Sequence, residues 1–358
     1  MIVIGTDVHK HTHCCAAVET MTSRLLEGHQ ALARMPGFRA LLEWARGIGD
    51  ERVWAIEDCR HVSGGLERFL IAAGERIVRL APKLSVGTRR LERGRGQSDP
   101  IDALAIARAA IREGIDALPV AFLDDQAREL KLLCDHRDAL VGTRTREQNR
   151  LRWLLHDRWP ELEIPSGALD RERVLDRLGR RLAQAAQTTD IRIARELVRE
   201  IRAVTRRICE IERELAVLVA AKCPGLLEIP GCGVLTAARI IAETAGQGRF
   251  SSDAKLARVA GVAPIPASSG RTTRYRLDRG GNRKLNAALH RIAIVQGRVD
   301  PDARAYLARK QAEGKSRREA VRCLKRFIAR RVWNVLPKAP SVADANSFPV
   351  PLEVLVLT

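Results

Sequence analysis

The chain has 358 residues, too many for one ordinary core, and with 46% hydrophobic and 29% charged residues it excludes wholesale disorder and predicts two or three packed domains. Its 62 Lys and Arg against 43 Asp and Glu leave a net charge of +19, which points to a polyanionic partner, nucleic acid first. No uncharged apolar run reaches the roughly 18 residues of a membrane span, and Met1 to Asp7 lacks the basic and apolar regions of a signal peptide, so no membrane partner and a cytoplasmic location are expected.

Taken in chain order, residues 1 to about 120 alternate strand and helix signals. Ile2-Val3-Ile4, Cys14 to Val18, Val53 to Ile56 and Arg76 to Leu80 read as strands. Phe38 to Arg46, Gly65 to Ala73 and Pro100 to Arg112 read as helices, which gives an α/β domain with a mixed sheet. His9, His11 and His13 alternate beside a strand, a placement that could set all three on one face. The eight cysteines are scattered without a CxxC pair and read as reduced thiols rather than a zinc site.

From about 123 to 222 the strand signals stop and two long helical patterns appear, broken around Trp159-Pro160 and Ile164-Pro165. In the second, Ala194, Leu197, Ile201, Val204, Ile208, Ile211, Leu215 and Leu218 alternate steps of three and four, a heptad seam that predicts a coiled-coil hairpin. Spacing does not say whether the seam closes within one chain or between chains; a hairpin that dimerises is the preferred expectation. Residues 223–337 are helical and basic, and 338–358 form a tail. The expected domains are therefore 1–122, 123–222, 223–337 and the tail.

Four acids stand out by position. Asp7 follows the first strand and Glu57 the third, and carboxylates at strand ends face a cleft if their strands are neighbours. Asp99 and Asp102 are i and i+3 at a helix start, able to serve one pair of cations. Asp99 as N-cap, Pro100 at N1 and Asp102 at N3 is also an ordinary helix start.

In the C-terminal half, Ile229-Pro230-Gly231-Cys232-Gly233-Val234 resembles a helix-hairpin-helix turn, with Gly231 and Gly233 freeing backbone N–H groups for phosphate. Ser268-Ser269-Gly270 is then followed by Arg271, Arg274, Arg276, Arg279, Arg283 and Lys284, opposed by Asp278 alone, a segment suited to nucleic-acid backbone. The last helix, Arg317 to Leu336, carries an apolar stripe, and its other faces present Arg317, Arg318, Arg322, Lys325, Arg326, Arg330 and Arg331, read as a nucleic-acid-contacting face.

Gly5-Thr6-Asp7-Val8-His9-Lys10, Ile56-Glu57 and Ser98-Asp99-Pro100-Ile101-Asp102-Ala103, in this order, resemble the RuvC-like domain of the insertion-sequence-110 family. These are the DEDD transposases, which include the Piv-type invertases and the bridge-RNA-guided recombinases. Asp58-Cys59-Arg60 after the glutamate and Gln97-Ser98 before Asp99 depart from the family's commoner residues. The resemblance implies an α/β plus α fold: a RuvC/RNase H-like mixed-sheet domain, the coiled-coil hairpin, and a helical transposase domain with the helix-hairpin-helix-like element. It implies that Asp7, Glu57, Asp99 and Asp102 hold Mg²⁺, one ion or two, with Mn²⁺ able to replace it. Ser269 is implied as the nucleophile, joined to the acids in a composite site between subunits of a homo-oligomer. Donor and target double-stranded DNA and a structured guide RNA are the implied partners, the protein joining the nucleoid when it acts. With 4% aromatic residues, recognition of RNA by shape and phosphate is expected over base stacking. A RuvC-like nuclease using water, and a non-catalytic nucleic-acid-binding assembly protein, are the alternatives.

Overall fold

The computed structural model describes residues 1–57, 60–82, 84, 98–121, 124–267, 275, 276, 278 and 280–337. Two compact units divide the chain, one of residues 1–124 with those from 244 onward, the other of residues 125–243. Among the described residues no helix is long and apolar enough to cross a membrane.

The first unit opens on β1 (Ile2–Val8), β2 (Thr12–Glu19), β3 (Leu25–Leu32), β4 (Arg52–Glu57) and β5 (Ile77–Leu80), arranged β3-β2-β1-β4-β5. β1 is central, antiparallel to β2 and parallel to β4, while β2–β3 is antiparallel and β4–β5 parallel. Buried on both faces, β1 and β4 are near-continuous apolar runs, the pattern that marks them in the sequence. β3 lacks that signal. It is an edge strand, Leu25 to Leu32 with an exposed Glu27-Gly28 inside, and its pairing with β2 rather than an apolar run holds it in place.

Alternation along the strands decides what each face meets. Ile4, Val8, Trp54, Ile56 and Ile77 pack with Phe38, Leu41 and Leu42 of α1 (Met35–Ile48) and Leu66 and Leu70 of α2 (Arg60–Ala72). Val3, Val53, Ala55, Val78 and Leu80 face the alanine-rich side of α3 (Asp99–Glu113), where Ile106, Ala107 and Ala110 meet them. Asp7 and Glu57 continue the odd-numbered series, so both belong to the α3 face.

The second unit is helical: α4 (Asp125–Arg158), α5 (Glu172–Gln184), α6 (Thr189–Lys222) and most of α7 (Val234–Thr244). Arg158–Asp190, Arg137–Glu212 and Lys222–Gln126 pair α4 and α6 in opposite senses, so these helices run antiparallel. The seam residues Leu197, Ile201, Ile208, Ile211 and Leu215 are buried, and Val204 and Leu218 half-buried. The sequence reads two long helical patterns here, and the structure has a third helix between α4 and α6: α5 packs Leu175, Leu178 and Leu182 against Leu151 and Leu155 of α4 and Ala194, Leu197 and Ile201 of α6.

The remainder of the first unit holds α8 (Asp253–Val259), the short pair β6 (Ile265–Pro266) and β7 (Tyr275–Arg276), α9 (Arg283–Val299), α10 (Pro301–Ala312) and α11 (Arg317–Val335). A complete capping box, Ser316 with Glu319, starts α11. Its basic residues form part of the open face expected from the sequence, with Arg317, Arg318, Arg330 and Arg331 exposed. Lys325 is buried and donates to Asn286 Oδ1 at 2.6 Å, while Arg326 and Arg330 both pair with Asp253.

Candidate active site

Parallel pairing of Thr6 with Ile56 brings the C-terminal ends of β1 and β4 side by side, so Asp7 and Glu57 leave the sheet as neighbours. The helix arrives from the other side. A Cβ at Gly5 would stand 2.1 Å from the Ala103 carbonyl oxygen and 2.5 Å from the Ala107 nitrogen, so α3 crosses β1 in direct backbone contact where no side chain intervenes. That crossing delivers the first turn of α3 to the end of β1.

The start of α3 corrects one expectation. Ser98, not Asp99, is the N-cap residue, since its carbonyl accepts the first helical bond from the Asp102 N–H at 3.0 Å, and Ser98 makes no side-chain cap bond. Asp99 is thus the first helical residue and Asp102 the fourth, and both acids lie at the positive end of the helix dipole.

Asp7 is buried, whereas the Asp99 side chain is 44% exposed. His9 Nε2 lies 3.0 Å from Asp7 Oδ2 and 3.4 Å from Asp99 Oδ1. One ligand atom from each of Asp7, His9 and Asp99 falls within 4.8 Å of the other two, the spacing of a cation's donor set. Burial pushes the Asp7 carboxyl above the usual carboxylate range; His9 opposes this, and Asp102 and Glu57 add to it through their charge. Both other acids therefore act on Asp7 from close by, and the four carboxylates share one end of the sheet.

The sequence groups His9 with His11 and His13, and of the three it is His9 that joins the acids. The alternation of His9, His11 and His13 does not gather them: His13 is buried and stacks on Phe38 with ring centroids 5.6 Å apart, and His11 is exposed. The usable signal was the two-residue step from Asp7 across the β1–β2 turn, which folds the His9 ring back onto the carboxylate.

Of the expected nucleic-acid contacts, Gly231 takes φ +82°, the left-handed region glycine favours, and Gly233 is exposed just before α7, with no atom within 4 Å of where a Cβ would stand. Both belong to the second unit. In the first unit, Arg283 and Lys284 are exposed at the start of α9, after the Asn282 N-cap. Arg276 is exposed in β7 and lines a cleft of about 1370 Å³ with Arg79, Lys255, Arg258 and Arg322, opposed by Glu113 and Asp278. Backbone contact of Gly281 with Gly261, where a Cβ on the former would come within 2.3 Å of the latter's nitrogen, joins the two ends of this segment. Ser269, Arg271, Arg274 and Arg279 lie outside the described residues, as do Asp58 and Ser268.

A five-stranded mixed sheet of order β3-β2-β1-β4-β5, with acids at the ends of β1 and β4 and on the flanking helix, is consistent with a RuvC-like DEDD catalytic domain. Residues 4–160 match the model of the DEDD transposases of IS110, described as a transposase, and residues 223–308 match that of the transposase IS116/IS110/IS902 family. The chain is 29% identical to the insertion element IS900 uncharacterized 42 kDa protein of Mycobacterium paratuberculosis, over 93% of its own length and 94% of that protein. It is 30% identical to the insertion element IS110 uncharacterized 43.6 kDa protein of Streptomyces coelicolor, over 64% of this chain and 67% of that one. To the mini-circle putative transposase for IS117 of the same species it is 26% identical, over 91% and 92%. The chain belongs to the IS110 family of DEDD transposases, and is a DNA transposase or recombinase enzyme.

Proposed function

We propose that this transposase cuts and rejoins DNA through a covalent serine–DNA linkage, with Ser269 as nucleophile and Asp7, Glu57, Asp99 and Asp102 as the carboxylates that hold Mg²⁺. The observation that carries the reading is the convergence of Asp7 with Asp99 at the sheet end, with Glu57 and Asp102 near enough to act on the Asp7 charge.

The donor set fits a hard divalent cation, since carboxylate oxygens suit Mg²⁺ and the His9 imidazole is a further donor that Mn²⁺ also accepts. When bound, such a cation offsets the repulsion among these acids, acidifies a coordinated hydroxyl, and neutralises charge developing on the attacked phosphate. The chain's own residues do the rest. The Ser269 Oγ–phosphorus bond forms as the phosphorus–deoxyribose oxygen bond breaks, the serine proton leaving and the departing oxygen taking one up; attack by a strand hydroxyl reverses the sequence and rejoins DNA. Arg271, Arg274, Arg276, Arg279, Arg283 and Lys284 supply forked and point cations for the phosphates on either side. Gly231 and Gly233 add backbone N–H donors that hold DNA without reading its sequence.

Ser269 and the four acids work across a subunit boundary of a homo-oligomer held together through the long helices, and a structured guide RNA selects the DNA. The low aromatic content supports shape and phosphate recognition of that RNA. A suicide DNA substrate that strands the intermediate tests the serine step: wild type is expected to form a protein–DNA adduct that Ser269→Ala lacks. Mg²⁺-dependent cleavage with no adduct would instead assign the attack to water.

A further inference from the structure

The second unit carries a charged groove that the catalytic reading leaves unused. It lies between α5 and α6, has a volume of about 690 Å³, and is walled by Arg180 of α5 and by Arg192, Arg195, Arg199 and Arg202 of α6. Asp176 is the carboxylate among its lining residues. Arg202 is engaged by Asp176 at 2.5 Å and by Glu172 at 3.7 Å, and Arg192 by Glu196 at 3.5 Å. Arg180, Arg195 and Arg199 are exposed and have no carboxylate partner among the described residues. Arg195 donates to the Gln187 side-chain oxygen at 2.6 Å, and Arg199 reaches only the Arg195 carbonyl at 3.4 Å.

The α6 arginines follow at steps of three, four and three, so they share one side of the helix in a row about 15 Å long. Like charges at such spacings repel, and the neighbouring acids engage the two ends of the row, Glu196 at Arg192 and Asp176 with Glu172 at Arg202, leaving Arg195 and Arg199 between them. A polyanion with a regular charge repeat relieves the repulsion. Each strand of a DNA duplex carries one phosphate charge per about 3.4 Å of axis, so a row of about 15 Å spans about four of them, and guanidinium forks pair with phosphate oxygens. Gly179 and Ala183, one helical turn apart on α5, and Val198 of α6 line it between the charged residues. No aromatic side chain lines the groove, so it offers nothing on which to stack a base.

We propose that the α5–α6 groove is a second DNA site, one that grips the phosphodiester backbone of duplex DNA without sequence preference. DNA is the polyanion on which the family acts, and this inference does not depend on how that DNA is cut.

The test measures binding of the full chain to a labelled DNA duplex of arbitrary sequence, and to a stem-loop RNA of matched length, across a salt series. Converting Arg180, Arg195 and Arg199 together to Gln is expected to make the DNA plot of log affinity against log salt shallower by about 2–3, and conversion to Lys to preserve it. On the unmodified protein, an arginine-specific reagent read by mass spectrometry should find these three side chains protected in the DNA complex. An unchanged DNA slope, a change confined to the RNA, or equal modification with and without DNA would each overturn the proposal.

Discussion

A Cβ at Gly5 would lie 2.1 Å from the carbonyl oxygen of Ala103, an atom of a helix backbone that cannot rotate aside. Gly5→Ala is therefore expected to push α3 off β1, destabilising the protein by about 1–3 kcal/mol as overpacking does, and to separate Asp99 and Asp102 from Asp7. Urea midpoints with and without Mg²⁺ check both parts: the midpoint falls, and the increment that Mg²⁺ adds to wild type shrinks. Asp7→Asn should do the opposite to the cation-free protein. Burial and the charges of Asp102 and Glu57 disfavour the Asp7 carboxylate, so a neutral isostere raises the thermal midpoint without metal, while the Mg²⁺-dependent rise is abolished. A variant that lost stability and kept its metal response would remove Asp7 from the donor set. The Asp7–Asp99–His9 group also marks how far the sequence could be read at this scale. The acids were visible from their places at strand and helix ends, but the His9 ring comes to Asp7 through a turn whose direction no periodicity encodes.

At the scale of elements, legibility followed burial. β1 and β4 are covered on both faces and so announce themselves as apolar runs, whereas β3 is an edge strand whose sequence, Leu25 to Leu32, mixes Glu27, Gly28, His29 and Gln30 into a strand fixed by its neighbour. The seam of α6 was readable for the same reason, its apolar positions recurring at helical period. α11 misleads at Lys325 because a buried lysine and a solvated one look alike in sequence. Lys325 sits inside, bonded to Asn286, whose amide in turn donates to the Ala260 carbonyl at 2.7 Å and the Gly261 carbonyl at 3.2 Å, so Asn286 of α9 links the lysine of α11 to the turn that follows α8. Burial, helped by Arg322, holds its ammonium below the ordinary lysine value. Between that lowered value and about 10.4 the unfolded chain binds the extra proton, so this group makes stability rise with pH across the interval. Lys325→Met should flatten that slope, measured as the difference between the two proteins' urea midpoints from neutral to alkaline pH. Parallel curves would show that Lys325 is charged equally in both states.

For the whole molecule, the decisive feature is that the two halves of the proposed chemistry sit far apart in the chain, with all of α4, α5 and α6 between Asp102 and Ser269. Helices of 34 residues such as α4 and α6 are suited to holding two chains in fixed register, and a serine from one chain meeting carboxylates from another would couple cutting to assembly, so that a lone subunit leaves DNA intact. Complementation separates this arrangement from a site complete in one chain. Asp7→Ala and Ser269→Ala should each be inactive alone, the first lacking a metal ligand and the second the nucleophile. Mixed and allowed to exchange subunits, they form pairs in which the intact acids of one chain face the intact serine of the other. With equal amounts and random pairing, about a quarter of the sites regain both halves, and strand-transfer activity should recover to that order. The restored activity should carry its protein–DNA adduct exclusively on the Asp7→Ala chain, which a size tag on one variant makes visible. A mixture that binds DNA and exchanges subunits yet stays inactive would place acids and serine in the same chain, and the long helices would then need another purpose.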